Sequence, residues 1–205
     1  RQARHRATSR LARGIADLIV VLSPAFEGSR YEPVFEASQH YKPVGAEPPL
    51  LMLLTSTADW ATKNAFPVAR WFNSIFQYPA SSDRESQAMR RTPGHIDHYL
   101  THELCLQGKP CGGASPQAEP ASRWQDPRRL CDGLVLGRYP RAVSGDRSIV
   151  WNIRTHKDII ADHDAIDGEA VFSFVQQVYG RVDGTGTASC KDAEALIPAS
   201  AMRTP

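Results

Sequence analysis

Asp59 stands just past a continuous apolar run, within the stretch PLLMLLTSTADWATKNAFP from Pro49 to Pro67. The run is bounded by Pro-Pro before it and by Ser/Thr after it, and it reads as a strand buried on both faces. An acid in the loop beyond such a strand lies where open α/β sheets place their ligands and catalytic groups. A histidine, His163, occupies a similar place in the loop Thr155 to Asp164, after another apolar run. An acid and a histidine together suit general acid–base chemistry. The imidazole takes the proton of a hydroxyl nucleophile and returns it to the leaving group, while a buried carboxylate holds the ring's tautomer and stabilises its cation. Each residue also has a plainer reading. Asp59 fits a helix cap or turn former, and His163 fits a surface cluster with Asp162 and Asp164, either of which is an alternative local acid for the ring.

A second arrangement competes with this one. In GHIDHYLTHEL, Gly94 to Leu104, the residues His95, His98 and His102 fall at i, i+3 and i+7, one face if the segment is helical. Three imidazoles so spaced would bind zinc or a similar ion and make the protein a metal-dependent hydrolase. The run lacks H-E-x-x-H, and Gly94 after Pro93 marks a turn at its start, so neither a metal nor another cofactor is part of the main expectation. Cys105, Cys111, Cys131 and Cys190 form no C-x-x-C pair. The first three share a loop-rich region that suits one disulfide in a secreted protein, whereas a cytosolic protein would keep free thiols.

The elements that must position Asp59 and His163 follow the grammar of a parallel sheet. Ala16 to Leu22 (ADLIVVL) reads as a buried strand with Ser-Pro-Ala-Phe-Glu-Gly as its exit loop, Tyr31 to Tyr41 as a helix, and the run before Asp59 as the next strand. Trp60 to Phe76 has helical spacing with a start or kink at Pro67; its Trp60, Phe66, Trp71 and Phe72 read as core or pocket wall. Gln77 to Arg147 is rich in Gly, Pro, Ser, Arg and Asp and reads as a lid-like insertion rather than core. Ser148 to Arg154 is a third strand, and Gly168 to Tyr179 an amphipathic helix with apolar Val171, Phe172, Phe174, Val175 and Val178. Arg1 to Gly14 reads as the tail of a helix and Arg181 to Pro205 as a poorly ordered tail, giving one domain over residues 1–180.

Three pieces, DLIVVLSPAFEG, LLMLLTSTADWAT and IVWNIRTHKDIIADHDAI with its helix, resemble the C-terminal half of the α/β-hydrolase superfamily, in particular its esterase- and lipase-like members. The resemblance implies a partial α/β fold with a mostly parallel sheet flanked by helices, Asp59 as triad acid, His163 as triad base, and a small-molecule ester or similar acyl compound as substrate. Two departures accompany it. About a hundred residues separate Asp59 from His163 where such enzymes have a few tens, which makes the insertion a cap or lid. No G-x-S-x-G occurs anywhere. Ser23 ends a strand but precedes Pro24, which has no N–H for an oxyanion hole. The nucleophile is therefore expected upstream of Arg1, and without it the chain should be silent; a fold without chemistry is the further alternative.

The 205 residues carry 24 basic and 22 acidic side chains, a net charge of +2. So even a balance does not imply a nucleic-acid or anionic-membrane partner. No apolar segment reaches the roughly 20 residues needed to span a bilayer. A sheet cut between strands leaves an unpaired edge, through which self-association is expected. A cytoplasmic location is marginally favoured from the thiol pattern alone.

Overall fold

The computed structural model describes residues 16–41, 49–74, 82–109, 124–140 and 148–182. The expected helix tail before Gly14 lies outside them, as does nearly all of the C-terminal segment. The apolar runs form β1 (Ile19–Leu22), β2 (Leu51–Ser56) and β6 (Val150–Thr155), and the helix between the first two, α1, spans Gly28–His40. Leu51 to Ser56 pair in parallel with Val150 to Thr155 in an unbroken register, and β1 pairs in parallel with β2 from Ile19↔Leu51 to Leu22↔Leu54. Three strands read from hydrophobic runs thus lie side by side.

The segment between them departs from a lid. It supplies β3 (His102–Leu106), β4 (Gln125–Arg129) and β5 (Leu134–Arg138), which extend the same sheet in the order β1-β2-β6-β3-β5-β4. β3 runs parallel to β6, and β5 and β4 follow antiparallel, so the sheet is mixed. Leu104, Leu134 and Leu136 are buried in the main core, in place of the solvated excursion expected for Gln77 to Arg147. Short strands with buried charge, such as Glu103 in HELCL, carry little hydrophobic signal of their own; pairing makes them strands. Pro127, which has no N–H for a ladder, lies on the edge strand β4, whose register shifts between Gln125 and Arg128.

Alternation along the strands builds a core on each face of the sheet. Met52, Leu54, Trp151 and Ile153 face α4 (Glu169–Val182), whose Val171, Phe174 and Val178 are buried against them at i, i+3 and i+7. Leu53 and Val150 face the other way, onto Tyr31 and Phe35 of α1 and onto Ile96 and Tyr99. Phe172, one of the apolar residues of the α4 pattern, points outward and is 64% exposed. Between Trp60 and Phe76 the chain makes a π-helical turn, Ala61–Ala65, then α2 (Phe66–Ser74). Pro67 has no N–H for the carbonyl four residues back, and the hydrogen-bond pattern changes there. A further helix, α3, spans Asp83–Arg90, capped by the Ser82 hydroxyl, which accepts the Glu85 N–H.

Among the described residues no cysteine is free, and Cys105 and Cys131 are both disulfide-bonded. Nor is any described helix long and apolar enough to cross a membrane. Among the described strands β1 pairs only with β2, at one edge of the sheet, and Ile19 is 46% exposed.

The extension is fixed by a tight contact on β5. A Cβ on Gly137 would overlap the indole of Trp124, which donates its Nε1–H to Glu103 on β3 (2.9 Å). Gly137→Ala should therefore cost about 1–3 kcal/mol, the range for overpacking a fitted site. Urea unfolding tests this: the midpoint should fall with an unchanged slope, and an unchanged midpoint would mean that Trp124 moves aside without cost.

Candidate active site

Asp59 and His163, 104 residues apart, meet at the carboxyl ends of adjacent parallel strands: His163 Nδ1 lies 3.0 Å from Asp59 Oδ2. Two loops bring them there. After β2 the chain turns, with the Asp59 N–H bonding the Ser56 carbonyl, and enters the π-helical turn. After β6 the amides of Ile159 and Ile160 bond the His156 carbonyl, and both isoleucines are buried in the core. Ser56 joins the two loops. Its hydroxyl donates to the Ile160 carbonyl (2.7 Å) and accepts the Ala58 N–H.

The cap and the catalytic readings of Asp59 turn out to be compatible, because its two oxygens divide the work. Oδ1 accepts the backbone N–H of Thr62 (3.1 Å), the contact of a residue that caps a helix start, while Oδ2 faces the imidazole. Asp162, offered as an alternative acid, instead accepts the amides of Asp164 and Ala165 and shapes the turn after His163.

Burial of the pair is unequal. Asp59 has no exposed side-chain surface, whereas the His163 side chain is 42% exposed. Burial by itself drives the Asp59 carboxyl upward, yet bonds from His163, from the Thr62 amide and hydroxyl, and a contribution from Ser23 hold it below the ordinary carboxylate value. The Ser23 hydroxyl lies beside the carboxylate without a well-formed hydrogen bond of its own, and Ser23 has φ of 45°. His163 is shifted upward, first by its bond to Asp59; burial opposes this, and the charges of Asp59, Asp164 and Asp162 add to it. With Nδ1–H committed to the acid, Nε2 is the basic nitrogen, and among the described residues it has no partner.

Sequence reasoning did not find the residues behind the acid. The Thr62 hydroxyl lies 3.1 Å from His95 Nε2, and His95 sits in the 3₁₀ turn Pro93–His95. The threonine's position three residues after Asp59 was the only local signal. The three histidines of the rival cluster are dispersed: His95 bonds Thr62, His98 packs on Phe35, and His102 stacks on Trp151. The segment carries two short 3₁₀ turns and then β3 in place of one helix, so the i, i+3, i+7 spacing has no common face. No group of three or more His, Cys, Asp or Glu side chains among the described residues is arranged to hold a metal ion. A second pair, His156 Nδ1 and Asp158 Oδ2 at 2.9 Å, is local to the loop after β6. Trp60 and Trp71, read as core or pocket wall, are 67% and 50% exposed, so the stretch after Asp59 presents apolar surface to solvent.

The shifts fix the sign of the pair's pH dependence. Asp59, depressed, contributes stability that is present above about 3.8 and lost as pH falls through its lowered value. His163, raised, contributes stability that is full below 6.5 and lost as pH rises through its higher value. The pair therefore contributes most between those limits. In an NMR titration the His163 midpoint should lie above 6.5 and drop on Asp59→Asn; an identical midpoint in the variant would mean that the bond is not made in solution.

Comparison of the chain with protein-family models, with curated proteins and with solved structures returns no match, so the reading of this site rests on its own geometry.

Proposed function

We propose that this chain carries the acid and base of a serine hydrolase that cleaves carboxylic esters or similar acyl bonds, with the nucleophilic serine supplied by a segment preceding residue 1. One observation carries the reading: a fully buried, charged Asp59 bound to Nδ1 of a half-exposed His163 at the carboxyl ends of neighbouring parallel strands. The three adjacent parallel strands support it, as does their resemblance to the C-terminal half of the α/β-hydrolases.

In this mechanism Nε2 of His163 takes the hydroxyl proton as the serine oxygen attacks the acyl carbon, and Asp59 stabilises the resulting imidazolium. The ring gives that proton to the departing alcohol, leaving an acyl-serine. A water then repeats the sequence: His163 takes its proton, the hydroxide adds to the acyl carbon, and the serine leaves with the proton returned. Every residue of this chain used in the cycle acts through a proton or a charge. The paired cysteines favour an oxidising compartment over a reducing cytoplasm as the place of action.

Residues 1–205 alone should hydrolyse p-nitrophenyl acetate or butyrate no faster than background. The protein that includes its preceding segment should turn both over and label with a fluorophosphonate. Asp59→Asn should lower kcat roughly 10⁴-fold, the loss seen when a triad carboxylate is neutralised. Turnover by residues 1–205 that survives His163→Ala, or a longer protein whose labelling ignores both substitutions, would sink the proposal.

A further inference from the structure

We propose that Thr62 and His95 are positioning residues for the acid: His95 holds the hydroxyl of Thr62, whose backbone N–H occupies Oδ1 of Asp59 and leaves Oδ2 to His163. The inference deepens the acid–histidine reading above and rests on it.

Thr62 is 1% exposed and is held from two sides, its N–H donating to Asp59 Oδ1 at 3.1 Å and its hydroxyl lying 3.1 Å from His95 Nε2. Hydroxyl and neutral imidazole can each donate or accept, so this bond stands in either tautomer. Burial, and after it the charge of Arg154, pushes His95 down to about 4, with Asp59, Lys63 and Arg91 as the other charged groups that face it. The ring therefore stays neutral across the range in which a histidine base works. The support thus runs from the His95 ring to the Thr62 hydroxyl and from the Thr62 amide to the carboxylate.

The turn that bears His95 is held as a fixture. A Cβ on Gly94 would overlap the side chain of Thr55 on β2, so the turn is seated directly against that strand. From β6, Asn152 Nδ2 donates to the Pro93 carbonyl (3.0 Å), and both Nε and Nη2 of Arg154 donate to the Gly94 carbonyl (3.2 Å each). The strands that bring Asp59 and His163 together thus also fix the ring behind the acid. Such supporting bonds set the orientation of a functional group as its direct partners do.

NMR of the folded chain tests this without any turnover, by following the Nδ1 proton of His163 and the carboxyl carbon of Asp59. Thr62→Val should abolish or broaden the low-field Nδ1 signal and move the Asp59 titration up toward 3.8 or beyond. Thr62→Ser should restore both, and His95→Leu should reproduce the loss. If Thr62→Val does not fold, His95→Leu decides on the same two signals. A folded Thr62→Val or His95→Leu with both signals unchanged would overturn the inference while leaving the acid–histidine pair standing. A wild-type chain with no Nδ1 signal sensitive to Asp59→Asn would overturn the pair itself, and the inference with it.

Discussion

One buried charge organises the carboxyl end of this sheet. A carboxylate with no exposed surface is tolerated only when nearly all of its lost hydration is replaced. Asp59 obtains that replacement from groups that no single element supplies: the amide of Thr62 from the π-helical turn and the imidazole of His163 from the loop after β6, with the hydroxyls of Thr62 and of Ser23, just past β1, favouring its charged form. Removing any one leaves the others bound to a charge less well satisfied. The acid is therefore the joint at which three loops agree on their positions.

The sheet makes that agreement achievable. β2 and β6 are immediate neighbours in parallel, so their exit loops emerge side by side, and Ser56 joins them with a bond to the Ile160 carbonyl. Behind them, Asn152 and Arg154 of β6 hold the Pro93–His95 turn. A rigid pair of strands thereby fixes groups that sit on loops, and precision at the site is borrowed from the core beneath it.

What the sequence disclosed follows from the range of each signal. β1, β2, β6 and α4 lie in or next to strong apolar runs, and Asp59 and His163 could be marked because each follows such a run. The strands β3 to β5 were hidden. HELCL and LVLGR are short, QDPRR is polar, and all three owe their extended form to pairing with partners elsewhere in the chain. The histidines of GHIDHYLTHEL would share a face only in a helix, but Pro93 and Gly94 open a turn instead and the three rings go to different surroundings. The Thr62–His95 contact spans 33 residues with nothing local to announce it. The long gap between Asp59 and His163 looked like the mark of a lid; it measures the chain spent on extending the sheet.

That routing also sets an order of events in folding. β6 must insert between β2, made about a hundred residues earlier, and β3, so the central pairing cannot close until most of the chain has been synthesised. Contacts of such high sequence separation close slowly, because the entropy of a long loop is lost before any contact repays it. On a ribosome, β1 and β2 would wait as a two-stranded apolar ribbon with one edge reserved for β6. The interval between β2 and β6 is thus the period in which the apolar edge of β2 stays unpaired.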